Sequence, residues 1–388
     1  MKLTGSLCAA GLVSILALAG CGSSAPASPS SAPASPSPAV SAAAPSAKPA
    51  ASSAPAASAK PSTAAPAAGS AKPSAKAPAS IAPAPPGTIL SSYSELTPIN
   101  LPVWIGVDAG LFKQNGLTVD ARLIESSLGV SALLAGQVQY AALGGSEALA
   151  AAINGADLVV LATLSPVYPY KLEVNSSIKT AQDLKGKKLG VSRIGSSSDS
   201  ATEAALRKLG VNVSDVQIVQ VGSLAARTAA LLSGALDGGV DALPDTINLE
   251  AHGFHPLIDL AAQRLPAVNN TLVATRAWVT ANKPTTQAYV DTVIEGIARA
   301  KKDKPLSLQL MKKYLKERGG DEKALEETYT FDVTELFRIP PVTTPDLFQD
   351  ALTQLAKKTA KAKGFDVSKV IDNSFLDDAM SRGIGKTS

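Results

Sequence analysis

Residues 183–199 read DLKGKKLGVSRIGSSSD, a polar turn, a short apolar run, a glycine turn and three serines. The apolar residues at its centre predict a buried strand, and Gly195 lets the chain turn tightly. Ser200 followed by Glu203 matches a capping box, which predicts that a helix begins there, and Gly210 predicts its end. The stretch therefore predicts a strand that leads into a helix through a serine-rich loop.

Strand-like and helix-like segments alternate on both sides of this stretch. Strands are predicted at 88–92, 117–124, 138–143, 158–164, 216–221 and 239–243. Helices are predicted at 103–114, 130–135, 146–153, 201–209 and 225–232. Two such units in series predict an α/β protein with two lobes, each with a largely parallel sheet.

The first residues predict a secretory signal followed by a lipid anchor. A basic start leads into an apolar run at 7–19 that is too short to span a bilayer comfortably. The run ends in LAGC at 18–21, which resembles the bacterial lipobox, so we expect residues 1–20 to be removed and Cys21 to carry a lipid such as palmitate. The only other cysteine, Cys8, lies in the removed segment, which argues against a disulfide. The alternative is an ordinary signal peptide with a chance cysteine at its boundary.

Residues 21–86 are almost wholly alanine, proline and serine, with scattered lysines. This composition lacks the large apolar side chains that offset the entropy of ordering, so we expect an unfolded spacer or a glycosylated stalk. Residues 87–388 are long enough for one large or two medium domains. The net charge of +4 comes from 36 Lys and Arg against 32 Asp and Glu. That modest excess, spread along the chain, argues against a nucleic-acid partner.

Several segments carry a resemblance to a known family. They are PVWIGVDAGLFKQNGLTVDARLI (102–124), ALLAGQVQYAALGGSEALAAAINGADLVVLATL (132–164), DLKGKKLGVSRIGSSSD (183–199), AALLSGALDGGVDALP (229–244) and IDNSFLDDAM (371–380). In order and spacing they resemble the periplasmic binding proteins of ABC importers of the nitrate, sulfonate and taurine class. That class includes relatives that bind thiamine precursors.

The resemblance implies a type II periplasmic-binding-protein fold, in which two α/β lobes close on a ligand. Lobe 1 would combine 87–172 with 272–388, and lobe 2 would span 173–271, with crossings near 170–174 and 272–274. The implied function is that of an extracytoplasmic, lipid-anchored and monomeric solute-binding protein of the bacterial cell envelope, facing the periplasm or the exterior. It would deliver a small anionic or polar ligand, such as a sulfonate, nitrate, a carboxylate or a pyrimidine, to an ABC permease and ATPase. No cofactor or metal is expected.

Candidate ligand-binding residues lie where strands lead into helix N-termini, whose free N–H groups attract polar ligands. They are Ser92, Tyr93, Ser94, Gly144, Gly145, Ser146, Arg193, Gly195, Ser196, Ser197, Ser198 and Asp241. Alternatives stay open: the serines cap the helix, the glycines form a plain turn, Tyr93 packs on its lobe and Arg193 faces solvent. Asp199, at the same helix start, would compete with a fully ionised anion.

Catalysis on the same fold is the alternative function. His252 and His255 are close in sequence, but no cysteine accompanies them as a metal ligand. The sequence also lacks a GxSxG elbow, a GK[ST] motif after the glycine turn, and the cysteine-rich motif of the enzymes that make a thiamine precursor. A third possibility is a domain that senses a ligand for a membrane receptor.

Overall fold

Residues 81–82 and 84–386 are described by a computed structural model. The predicted signal peptide, the Cys21 anchor and the spacer before residue 81 lie outside the described residues. Within the described part, no helix combines the length and the apolar character needed to cross a membrane.

Ten strands are assigned in the described residues. They are β1 (Ile89–Tyr93), β2 (Val119–Leu123), β3 (Tyr140–Leu143), β4 (Leu158–Val167), β5 (Tyr170–Val174), β6 (Lys188–Val191), β7 (Gln217–Gln220), β8 (Gly238–Ala242), β9 (His255–Asp259) and β10 (Pro266–Thr275).

The α-helices of the same residues cover the faces of the sheets. They are α1 (Leu101–Asp108), α2 (Leu111–Gln114), α3 (Ser126–Leu134), α4 (Gly145–Ile153), α5 (Ser197–Lys208), α6 (Leu224–Leu232), α7 (Asp245–Ala251), α8 (Arg276–Ala281), α9 (Lys283–Lys302), α10 (Lys304–Leu315), α11 (Glu322–Tyr329), α12 (Gln349–Lys358) and α13 (Ser374–Ser381).

The strands form two five-stranded sheets with matching topology. The order is β2-β1-β3-β10-β4 in one sheet and β7-β6-β8-β5-β9 in the other. In each sheet one strand, β10 or β5, runs antiparallel to both of its neighbours, and the other recorded strand pairs are parallel. We call the part built on the first sheet lobe 1 and the part built on the second sheet lobe 2.

The chain passes between the lobes at two places. Strand β4 ends at residue 167 in the first sheet, and β5 begins at residue 170 in the second. The return lies between the end of β9 at residue 259 and the start of β10 at residue 266. The sequence placed these crossings later, near 170–174 and 272–274, and both of those stretches are strand residues inside a sheet. Residues 170–174 read YKLEV and residues 272–274 read LVA, and neither composition marks a change of sheet.

The core of lobe 1 contains most of the aromatic side chains. Trp104 of α1 stacks on Tyr314 of α10 with ring centroids 4.3 Å apart, and the edge of Tyr93 packs on Trp104 at 5.8 Å. Helix α1 also approaches α9 closely, because a Cβ at Gly296 would lie 2.5 Å from the carbonyl oxygen of Pro102. The C-terminal helices are therefore an integral part of lobe 1.

The helices predicted at 103–114 and 201–209 differ from their predictions. The helix predicted at 103–114 is divided into α1 and α2, because Gly110 adopts a left-handed conformation with φ of 74°. Helix α5 begins at Ser197 and is capped by Ser196, so the predicted start at Ser200 was wrong. Two serines expected in the loop thus lie in the first turn of a helix.

Candidate ligand-binding cleft

A cleft opens between the two sheets where their strands lead into helices. Its lining comes from both lobes: Ser94, Glu95, Thr97, Ile99, Glu125, Ser126, Gly144, Glu147, Pro169, Tyr170, Ser192, Ser196, Ser197, Ser198, Gly222, Ser223, Ala242, Asn269 and Asn270. The space left for the centres of water-sized atoms is about 30 Å³. The lobes are thus nearly closed on each other, over a small polar cavity.

The serines before and within α5 make different contacts. The Ser196 hydroxyl accepts a hydrogen bond from the Asp199 N–H at 3.3 Å, and the Ser198 hydroxyl accepts one from the Ser192 N–H at 2.9 Å. Both of these bonds hold the turn together. The Ser197 hydroxyl instead donates across the cleft to Oε2 of Glu147 at 3.1 Å. The serine run therefore caps its own helix and also contacts the opposite lobe.

The two glycines at the start of α4 in lobe 1 lie close to different groups. A Cβ at Gly144 would lie 2.1 Å from Oε2 of Glu147 and 2.5 Å from Oγ of Ser197. A Cβ at Gly145 would lie 2.4 Å from the backbone oxygen of Val268. Gly144 thus leaves space for the Glu147 carboxylate of its own lobe and for the Ser197 side chain of lobe 2, whereas Gly145 lets α4 pack against β10.

Three carboxyl groups line the cleft, all from lobe 1: Glu95, Glu125 and Glu147. The pKa of Glu147 is raised to about 7, mainly by burial and in smaller part by the charges of Glu95 and Glu125, while hydrogen bonds from its own N–H and from Ser197 oppose the rise. Burial also raises the pKa of Glu95, although the positive charges of Arg227 and Arg318 oppose it. The negative charge of Glu125 contributes to the rise in the pKa of both Glu95 and Glu147, so the three side chains are electrostatically linked.

Two adjacent asparagines line the cleft from β10. Asn269 and Asn270 are each 6% exposed, and neither side-chain oxygen has a hydrogen-bond partner. The pairing of β10 with β4 shifts register on both sides of Asn270, and irregular strands of this kind often re-aim side chains at functional sites. The result is a pair of buried acceptors in the cavity.

A fully buried arginine lies below the cleft in lobe 2. Nη1 of Arg227 donates to the Ser192 hydroxyl at 3.2 Å, and Nη2 lies 4.0 Å from Oδ1 of Asp241. A Cβ at Gly190 or Gly239 would come within 3.2 Å of the Arg227 side chain, so these glycines provide its passage across the sheet. Burial raises the pKa of Asp241 to about 7, and Arg227 opposes this shift.

Polar contacts between side chains join the two lobes around the cleft. Nζ of Lys358, on α12, lies 3.1 Å from Oδ2 of Asp199 and 2.9 Å from Oε1 of Glu203, both on α5. Nε of Arg193 lies 3.4 Å from Oε2 of Glu125. Two further pairs between lobes are Arg207 with Asp350 and Arg318 with Asp245. These contacts stabilise the closed arrangement.

The structure brings only some of the predicted site residues to the cavity. Those that line it are Ser94, Gly144, Ser196, Ser197 and Ser198. The others that the sequence singled out lie beside the cavity or behind it: Ser92, Tyr93, Gly145, Ser146, Arg193, Gly195 and Asp241.

Each of these others has a visible structural role. Tyr93 packs in the lobe 1 core, and the Ser146 hydroxyl lies 3.3 Å from that of Ser200 across the lobes. Gly195, with φ of 87°, donates its N–H to Asp199 at 2.7 Å. Ser92 is buried at the end of β1. Their position next to helix starts was correctly anticipated, but side-chain direction decides which atoms reach the cavity.

Several lining residues were missed by the sequence analysis. Glu125 precedes a helix whose start was predicted four residues later, and Glu147 follows the glycine turn of α4. Asn269 and Asn270 were also missed. Their signal was present in the sequence, because they are two adjacent amides inside a strand that is otherwise mostly apolar.

Comparison with solved structures places this arrangement among the periplasmic-binding-protein folds. A protein from Bordetella bronchiseptica RB50 is 23% identical with a TM-score of 0.66, over 76% of this chain and 98% of that one. The periplasmic aliphatic sulphonate-binding protein SsuA from Escherichia coli is 20% identical with a TM-score of 0.60, over 76% and 100%. The desulfurization enzyme DSZB is 17% identical with a TM-score of 0.57, over 76% and 99%. At these identities the likeness shows the α/β fold of two lobes alone.

The family follows from a sequence match. The NMT1/THI5-like family model matches residues 98–305, which is more than half of the chain, and the protein belongs to this family. No curated protein sequence is similar enough to count as a match. The resemblance inferred from the sequence segments is thereby confirmed at the level of family and fold.

Proposed function

We propose that this protein is the extracytoplasmic solute-binding component of an ABC importer. It captures a small polar solute between its lobes and delivers it to a membrane permease with its ATPase. The observation that carries the proposal is the cleft itself, which is lined from both lobes by polar groups and bridged by contacts such as Ser197 to Glu147. The sulfonate-binding proteins that share the fold support the same role.

The proposed mechanism is rotation of the lobes about the two crossings. An open form admits the solute, and contacts from both lobes then favour the closed form, because a ligand shifts an equilibrium toward the state that it binds better. Lys358 and its two carboxylate partners assist closure without touching the cavity. Only the closed form presents both lobes to the permease in fixed relative positions.

The experiment for this function begins with the full chain, purified from its own host in detergent. Native mass spectrometry is expected to detect one non-covalent small molecule per protein, which we call the resident solute. Small-angle scattering is expected to show compaction when that solute is returned to stripped protein. Cells that lack the gene should fail to accumulate the labelled solute. Protein that carries no solute and keeps one shape in every solute tested would contradict the proposal.

The lipid anchor is part of the proposal, together with the location that it implies. Acylation at Cys21 would hold the protein at the membrane of the cell envelope, outside the cytoplasm, as a monomer at the end of its spacer. A Cys21→Ser variant is expected to move from the membrane fraction to the soluble fraction and to lose incorporation of a palmitate analogue. Retention of the variant in the membrane fraction would refute the anchor and leave the binding function untouched.

Catalysis is the second candidate, because an enzyme shares the fold. Such chemistry would use Glu147, whose pKa is raised, and the Ser197 hydroxyl, which donates a hydrogen bond to the Glu147 carboxylate. The described lining contains neither histidine nor cysteine to complete a nucleophilic set. The two functions separate on one measurement: a binding protein returns its solute unchanged after prolonged incubation, whereas an enzyme returns a product of different mass.

A further inference from the structure

The charged side chains that line the cleft are all acidic. Among the described lining residues, the charged ones are Glu95, Glu125 and Glu147, and none is Lys, Arg or His. They come from three different elements of lobe 1: the loop after β1, the residue before α3 and the first turn of α4. A ligand in this cavity therefore meets negative charge from several directions.

A second observation points to the same kind of ligand. The side-chain oxygens of Asn269 and Asn270 line the same cavity, are buried and have no hydrogen-bond partner. A buried acceptor without a donor is unfavourable, so such atoms in a native cleft call for a donor from elsewhere. Carboxylates and amide oxygens together form a set of acceptors that suits N–H groups.

Two of the helix N-termini at the cleft, those of α4 and α5, already carry carboxylates of this chain, whereas the N-terminus of α6, capped by Ser223, has none in its first turn. Asp199 accepts from the Gly195 N–H at the start of α5. Glu147 lies at the start of α4, where Gly144 leaves room for its carboxylate and where it accepts a backbone hydrogen bond from its own N–H. A sulfonate at either end would meet a carboxylate in the place that it needs.

The nearby arginines lie at the rim of the cleft or behind its lining. Arg193 lies at the cleft rim, 3.4 Å from Glu125. The buried Arg227 donates from Nη1 to Ser192 behind the lining, while its Nε and Nη2 have no hydrogen-bond partner. Arg318 pairs with Asp245. The described carboxyl and histidine side chains also form no group of three that could hold a metal ion. An organic molecule fits these observations better than a bare metal ion.

We propose that the solute is a small organic cation with N–H donors, held by Glu95, Glu125 and Glu147 and by the side-chain oxygens of Asn269 and Asn270. This inference rests on the proposed solute-binding function and specifies its ligand class. It departs from the anionic ligands that the family resemblance suggested. Charge-assisted hydrogen bonds to the carboxylates supply affinity, while the amide oxygens select for donors.

The test compares two sets of probes on the full chain by thermal shift and titration calorimetry. The cations are guanidinium, benzamidinium and ethanolammonium, and the anions are methanesulfonate, nitrate and bicarbonate. At least one cation is expected to raise the melting temperature, and the anions are expected to have no effect. The charge of the resident solute, read from its exact mass, is expected to be positive at neutral pH.

Variants connect the result to the cleft. Glu147→Gln keeps the shape of the side chain and is expected to weaken cation binding about 10- to 100-fold, as for loss of a hydrogen bond to a charged group. Glu125→Gln provides a second variant if the first does not fold. Glu326→Gln, an exposed carboxylate paired with Lys304 outside the cleft, is the matched control and is expected to leave binding unchanged.

The outcomes distinguish this inference from the function on which it rests. An anionic resident solute, or shifts by the anions alone, would overturn the ligand class and preserve the solute-binding function. If Glu147→Gln and Glu326→Gln lose the same amount of affinity for the cation, the cation binds elsewhere, and the proposed ligand class is also overturned. Absence of any resident solute together with no shift by either probe set would reject the solute-binding function, and the ligand class with it.

Discussion

Two adjacent glycines at the start of α4 are expected to respond to alanine in opposite ways. At Gly145 the new Cβ would lie 2.4 Å from a backbone oxygen of Val268, so α4 or β10 must move. At Gly144 the nearest atoms belong to the side chains of Glu147 and Ser197, at 2.1 and 2.5 Å, and these can move without disturbing the backbone. Gly145→Ala should therefore affect folding, and Gly144→Ala should affect the cleft.

The magnitudes follow from these contacts. Overpacking of the Gly145→Ala kind costs about 1–3 kcal/mol, which corresponds to a fall in melting temperature of about 3–10 °C for a domain of this size. Gly144 has φ of −62° and ψ of 129°, which alanine adopts freely. At this helix-capping position alanine loses about 1 kcal/mol and regains about 0.4–1 kcal/mol through the unfolded chain. The melting temperature of Gly144→Ala should thus stay within about 2 °C of wild type.

The assay is calorimetric melting of both variants, followed by titration with the resident solute. Gly144→Ala displaces the Glu147 carboxylate from its place in the cleft, so its affinity for that solute should fall about tenfold or more. Gly145→Ala, where it remains folded, should bind closer to wild type. If both variants lose similar stability, or if Gly144→Ala binds normally, the described position of the Glu147 carboxylate is wrong.

Three further predictions concern charge, closure and packing. As the pH is increased toward 7, affinity for a cationic probe should rise about tenfold per pH unit, and above pH 7 it should level off. The reason is that the pKa of Glu147 is raised to about 7 and the cation binds the ionised form of Glu147. Calorimetry across this pH range checks the prediction, and an affinity that decreases as the pH is increased would contradict it. Lys358→Met leaves two nearly buried carboxylates of α5 without their partner and should shift solute-free protein toward the open form by about 1–2 kcal/mol, a five- to thirtyfold change. An unchanged radius of gyration in small-angle scattering would count against this. Gly296→Ala should lower the melting temperature by about 3–10 °C, because its Cβ would lie 2.5 Å from the Pro102 oxygen; a melting curve like that of wild type would disprove the close approach.

Much of the fold is predictable from sequence because strands and helices alternate with clear turn residues. The glycine turn at Gly195 and the predicted helix end at Gly210 both correspond to left-handed glycines. The start of α5 was misplaced because Ser196, Ser197, Ser198 and Ser200 all suit a helix cap, and only tertiary contacts select Ser196. Local sequence therefore predicts which elements exist better than where they begin.

The cleft was less predictable for a different physical reason. Helix starts that face the cavity were found, but the charge balance there depends on side chains from separate elements. Glu125 lies 30 residues after Glu95 and 22 before Glu147 in the sequence, and its charge raises the pKa of both only after folding. Arg193 seemed suited to an anion, yet its partner is Glu125. Which charges remain for a ligand is a property of the assembled lobes.

The position of the two crossings has a mechanical consequence. Rotation displaces an atom in proportion to its distance from the pivot. Pro169 and Tyr170 adjoin one crossing, and Asn269 and Asn270 follow the other by a few residues. In the proposed rotation these four residues, which line the cavity near the crossings, would move little, whereas Ser197 and Glu147, which belong to separate lobes, would meet only as the lobes close. A solute that binds in this way would contact the residues near the crossings first, and the contacts from Ser197 and Glu147 would form afterward, as the lobes close.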